Sequence, residues 1–213
     1  MKTRDLVNRL ASDVSPVERS VVADALGTAL IHGLAGSATL LVVLYGVRSD
    51  MPELILTPMF WLRLAFPLAT IVAAMKLAEL LGRPGAEVSR AWLAVAAPVV
   101  TMIGVACCLL LTVPQAYRLD LVLGTTWRTA TFNIVFVSLP PLVTTLRAMK
   151  ALAPTRLALA GAGAGVLAGA QGVLVYSLNC AEMEVPFWAV WYVLAITATT
   201  GLGAAIAPRY LRW

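Results

Sequence analysis

The stretch LALAGAGAGVLAGAQGVLVYSL, Leu157 to Leu178, decides the fold of this chain. It is uncharged and long enough to cross a hydrocarbon core of roughly 30 Å as one helix. Gly161, Gly165 and Gly169 recur at every fourth position, so one helix face carries no side chains. Among lipid-embedded helices such a repeat lets backbones approach closely, which marks this as a tightly packed central helix. The repeat speaks to packing and is silent about function.

The rest of the chain gives that helix its partners. The 213 residues are 60% hydrophobic and 13% charged, with a mean hydropathy of +0.86. Soluble domains carry roughly a quarter charged residues, so this is an integral membrane protein. Its apolar runs fall at about 23–47, 58–81, 91–113, 125–146, 157–178 and 185–207. The fold class is therefore all-α, a polytopic bundle of six transmembrane helices. No cleavable signal is expected, because a polar lead of about twenty residues precedes a first run too long for a signal peptide. The net charge of +5 sits between apolar runs and forms no stripe for direct nucleic-acid binding.

Basic residues set the expected orientation. The lead, the second-to-third turn, the fourth-to-fifth turn and the tail hold all of the 16 except Arg48, Arg63, Arg118 and Arg128. Both termini are then cytoplasmic, with Cys180 on the opposite side. In the lead, Leu6, Val7, Leu10 and Ala11 form the apolar stripe of a short amphipathic helix, with Lys2, Arg4, Asp5, Asn8 and Arg9 opposite. Ser15-Pro16-Val17-Glu18 reads as a capping box that opens a further helix. From these residues alone the segment either lies on membrane lipid or docks a soluble partner.

Within the spans, Ala29, Gly33 and Ser37 make a second small-residue seam. His32 beside it reads as a packed or hydrogen-bonded side chain, since one histidine makes no metal site. Arg63 is expected to snorkel to headgroups, and Lys76 and Glu79 to pair. Pro67, Pro98 and the Pro140-Pro141 pair bend their helices, and the last needs neighbours to satisfy the carbonyls it frees. Cys107 and Cys108 read as inert core residues, and Pro114–Gly124 as a loop.

Chemistry concentrates in Asn179-Cys180-Ala181-Glu182-Met183-Glu184. An outer thiol meets oxidants and soft ions, and Cys180 with Met183 makes a part-site for such a metal. Glu182 and Glu184 are expected to raise the thiol pKa by repulsion. The bland reading is a buried cysteine at a helix start. Phe187, Trp188, Trp191 and Tyr192 read as an interfacial aromatic belt. No catalytic motif and no cofactor-binding loop is present, so no enzyme and no cofactor are expected.

Several blocks carry a resemblance over essentially the whole chain: Pro58-Met59-Phe60-Trp61-Leu62-Arg63, Arg90-Ala91-Trp92-Leu93, Thr126-Trp127-Arg128, Asn133-Ile134, Leu152-Ala153-Pro154-Thr155-Arg156, and Cys180 followed by Pro186-Phe187-Trp188. On these the chain resembles the NrsF-type family of bacterial anti-sigma factors. The resemblance implies a multi-pass protein of the bacterial inner membrane that sequesters an extracytoplasmic-function (ECF) sigma factor. It implies a sigma-binding segment at residues 1–22, anchored by Leu6, Val7 and Leu10 with Arg4, Asp5 and Arg9 tuning register, and a transmembrane domain at 23–213. It also implies a sensor of two outer cysteines, responding to oxidant or heavy-metal stress. One matches Cys180; the other position holds Ala130, followed by Thr131 where the family has proline. No intramolecular outer disulfide can then form. Either Cys180 acts alone or a cysteine has been replaced, and a homo-oligomer linked through Cys180 stays open. The rival readings are a small membrane thiol oxidoreductase, which would need paired outer cysteines, and a metal or small-solute transporter, which lacks a midplane ligand set.

Overall fold

The computed structural model describes residues 21–46, 50–83 and 85–212. The helices are α1 (Val21–Tyr45), α2 (Met51–Leu54), α3 (Pro58–Leu81), α4 (Ser89–Thr112), α5 (Gln115–Leu123), α6 (Trp127–Val137), α7 (Leu139–Ala151) and α8 (Leu157–Ser177). A short α9 (Val185–Phe187) continues through one π-helical turn, Trp188–Tyr192, into α10 (Val193–Tyr210). No strand occurs among the described residues. Six stretches are long and apolar enough to cross a membrane, the segment from α5 to α7 counting as one.

Helix α8 is the centre of the bundle. It is buried on all sides from Ala160 through Val173, as its glycine repeat predicts. A Cβ on Gly161 would strike the Gly203 carbonyl of α10, and one on Gly165 the Thr199 carbonyl. On Gly169 it would meet the Thr199 hydroxyl. The two backbones lie so close that only hydrogen fits between them.

The second seam works in the same way. Ala29, Gly33 and Ser37 are all buried, and Pro140 and Pro141 seat on Gly36 and Gly33, where an added Cβ would come within 2.8 Å. Proline at 141 has no N–H to offer the Val137 carbonyl one turn earlier. Ser37 Oγ supplies the missing donor at 2.7 Å, across a buried helix contact. The expected bend is a break at Ser138, where α6 ends and α7 begins.

Three expectations change. Pro114–Gly124 contains helix α5, which the polar composition of that segment concealed. Cys107 and Cys108 are exposed rather than in the core; α4 is peripheral and buries only Ala91, Val95 and Ala106, so its thiols face where lipid would lie. The last helix runs past Ala207 to Tyr210. Two pairings hold: Lys76 and Glu79 meet at 2.9 Å, and His32 Nδ1 lies 2.8 Å from the Thr28 carbonyl.

The loops sort to two ends. At one, the 82–88 and 152–156 turns line a common small cavity with Arg83 and Arg156, and Lys150 sits over the Tyr210 ring at 4.9 Å. At the other, the loop after α8 meets α3, α6 and the Trp188–Tyr192 turn. That second end holds the candidate site.

Candidate functional site

The residues between α8 and α9 form a short irregular loop anchored from several directions. Tyr176 starts it: its carbonyl accepts both the Asn179 and Cys180 N–H groups, at 3.0 Å each. Arg63, fully buried on α3, donates from its guanidinium to the Cys180 carbonyl at 2.9 Å and the Glu182 carbonyl at 3.3 Å. The Trp188 indole N–H adds a bond to the same Glu182 carbonyl at 3.1 Å. Arg63 therefore does not snorkel. Residues 178–184 close over its end of α3, and loop carbonyls take the place of water around the guanidinium, offsetting part of its desolvation.

The Glu182 side chain reaches the opposite way. Its Oε1 accepts from the Thr125 N–H at 2.8 Å, the Thr125 hydroxyl at 2.6 Å and the Thr126 N–H at 3.2 Å. These are donors at the start of α6, where a carboxylate meets the positive end of the helix dipole. Partial burial works against the charge, but the threonine hydrogen bonds hold the carboxyl below the usual range. Gly124 makes the approach possible: its φ is +57°, and a Cβ there would lie 2.8 Å from the Glu182 carboxylate and the Phe187 ring.

Cys180 sits beneath this clasp, 3% exposed. Its thiol is thus not the open outer thiol that the orientation alone suggests. Burial is the main cause pushing the thiol above its ordinary pKa; Arg63 works against the shift, and the expected Glu182 repulsion adds to it as a minor contributor. The Tyr192 hydroxyl faces the sulfur. Cys180 is buried, Met183 half-buried and Glu184 exposed. Among the described residues no group of three or more His, Cys, Asp or Glu side chains is placed to hold a metal.

The aromatic belt is also revised. Phe187, Trp188 and Tyr192 are fully buried inside the bundle. Trp191 donates its indole N–H to the Val122 carbonyl at 2.8 Å, tying the last span to α5. The π turn shifts the helix register here, and such turns cluster at functional sites. Ala130 is fully buried one turn into α6, four residues beyond Thr126. Arg4, Asp5, Leu6, Val7, Arg9 and Leu10 lie outside the described residues.

Sequence reasoning missed the roles of Arg63, Gly124, Thr125 and Thr126. An arginine inside an apolar span was the available signal; its carbonyl partners more than a hundred residues away left none.

Comparison with known proteins identifies relatives over the whole chain. The family described as "Negative regulator of sigma F" matches residues 10–213. A probable anti-sigma-F factor of Azospira oryzae is 36% identical over 213 residues, covering all of both chains. An anti-sigma-F factor of Caulobacter vibrioides is 34% identical, again over the whole of both. No solved structure matches. With a full-length match and a bundle of six membrane-length helices, the chain belongs to the NrsF family of negative regulators of sigma F.

Proposed function

We propose that this protein is a membrane-embedded anti-sigma factor of the bacterial inner membrane that holds an ECF sigma factor through residues 1–22. The observation that carries the reading is the match over the whole length of anti-sigma-F factors, which extends into the lead. In that reading the end with Arg83, Lys150 and Arg156 faces the cytoplasm and the Cys180 loop faces outward, following the positive-inside rule. Leu6, Val7 and Leu10 fill an apolar groove of the sigma factor, and Arg4, Asp5 and Arg9 set the register. Modification at Cys180 shifts the bundle between two states that differ in sigma affinity.

Co-purification of the full chain with its sigma factor, with and without residues 1–22, tests this. Removal of the lead, or Leu6→Asp with Leu10→Asp, abolishes retention. Undiminished retention would overturn the docking assignment.

A further inference from the structure

A cleft of about 530 Å³ opens between α1 and α7, lined by Asp24, Thr28, His32, Thr144 and Arg147. Asp24 lies in the first turn of α1, and Arg147 about one turn before the end of α7. Both side chains are exposed. Opposite charges thus line one cavity, yet among the described residues no ion pair joins them and neither makes a hydrogen bond. The neighbouring polar groups do not answer them. His32 Nδ1 is turned to the Thr28 carbonyl at 2.8 Å, and the Thr144 hydroxyl to the Ala29 carbonyl at 3.0 Å. The Thr28 hydroxyl has no partner among the described residues and remains a donor. Charged side chains on membrane helices pair with one another or mark a site. Deeper along the same two helices, Ile31 and Val143 are exposed where lipid would lie.

We propose that this cleft binds the phosphoethanolamine headgroup of a membrane lipid, with Arg147 and the Thr28 hydroxyl on the phosphate and Asp24 on the ammonium. The guanidinium fork suits phosphate oxygens. A primary ammonium brings N–H donors to a carboxylate whose oxygens are open. Each alternative ligand leaves one wall of the cleft unanswered. An anionic headgroup meets Asp24 as a like charge, and a trimethylated one has no N–H to give it. A metal cation meets a single carboxylate and is opposed by Arg147. The acyl chains run along Ile31 and Val143, which selects a lipid over a free phosphate ester. In the orientation proposed above, the site lies in the inner leaflet. The inference goes beyond the anti-sigma reading and rests only on the bundle lying in a membrane.

The test uses the full chain extracted from membranes into detergent, titrated with phosphatidylethanolamine or phosphatidylglycerol and read by native mass spectrometry. Phosphatidylethanolamine gives an adduct at about fivefold lower concentration, the worth of one strong exposed ion pair. Asp24→Asn erases this preference but keeps the phosphatidylglycerol adduct, which shows the cleft intact. Arg147→Gln weakens both adducts about fivefold, and Arg156→Gln, at the same end but outside the cleft, weakens neither. Soluble glycerophosphoethanolamine at the same concentration gives no adduct. Equal binding of the two lipids by the wild type overturns the proposal, as does a preference that survives Asp24→Asn. Loss of both adducts in Asp24→Asn, or an Arg156→Gln effect as large as that of Arg147→Gln, does the same. Equal binding of the soluble ester removes the lipid as the occupant. Recovery of the chain in the membrane fraction before extraction reads the membrane assignment separately, so a missing preference there sinks the headgroup site alone.

Discussion

The Arg63 guanidinium holds the Cys180 carbonyl at 2.9 Å across 117 residues of sequence. One cation inside the apolar bundle thus fixes the loop that carries the Cys180 thiol. Arg63 is carried by α3 and Cys180 by the loop after α8; the contact exists because α3 and the end of α8 are neighbours.

Replacing Arg63 with Met leaves the Cys180 and Glu182 carbonyls without this donor. Hydrogen bonds to charged groups are each worth about 1.5–3 kcal/mol, so unfolding in detergent shifts by about that amount. Arg63→Lys recovers part of the loss, because an ammonium keeps the charge but not the planar fork. Thermal unfolding of the three proteins checks the order.

The Glu182 clasp makes a pH-dependent contribution. Its folded pKa is lowered, so its stabilisation is fully present above the ordinary carboxylate pKa of about 4.3. It is lost as pH falls from there through the lower folded value. Hydrogen exchange at the Thr125 and Thr126 amides accelerates over that window in the wild type. In Glu182→Gln exchange is fast already at neutral pH, and the pH step disappears. A step that survives in Glu182→Gln belongs to another group.

At the crossing of α8 and α10, Gly165→Leu overpacks a contact where even a Cβ meets the Thr199 backbone. Overpacking costs about 1–3 kcal/mol in cores that can adjust, and two abutting backbones set the upper end here. Gly104→Ala on α4, where nothing lies within 4 Å, stays near wild type. Paired melting curves compare them.

Ser37→Ala removes the donor that satisfies the Val137 carbonyl freed by Pro141. An orphaned buried acceptor costs about 1–3 kcal/mol. The loss concentrates at the α6–α7 break, so amide exchange at Ser138, Leu139 and Leu142 rises more than in α8. Uniform acceleration across the bundle would point to global destabilisation instead.

Part of the site was legible before any fold was known. Cys180, Glu182 and the aromatic run stand out by composition, and their neighbourhood is where the structure concentrates its long-range polar contacts. Their roles were not legible. Trp188 and Tyr192 look like interface anchors because amphipathic aromatics at a span end usually are; their burial depends on α4 and α6 packing against their turn. Arg63 looks like a snorkelling end residue because nothing nearby in sequence shows the loop that closes over it. Helix α5 looks like a loop in sequence because its polar residues hide a pattern too short to register.

What the sequence determined by itself is whatever depends on local pattern. Run length and sparse charge define six spans, and the Gly161–Gly165–Gly169 repeat makes α8 the helix others pack against. Small-residue seams and prolines act within a few residues of themselves, so their consequences can be read in one dimension. Tertiary structure alone decided which donors meet which acceptors. Arg63 with the Cys180 carbonyl, Glu182 with Thr125, Ser37 with Val137 and Tyr192 with the Cys180 thiol join helices whose adjacency no local pattern encodes. In a low-dielectric bundle each buried polar group must find a partner, and the packing of helices determines which one is within reach.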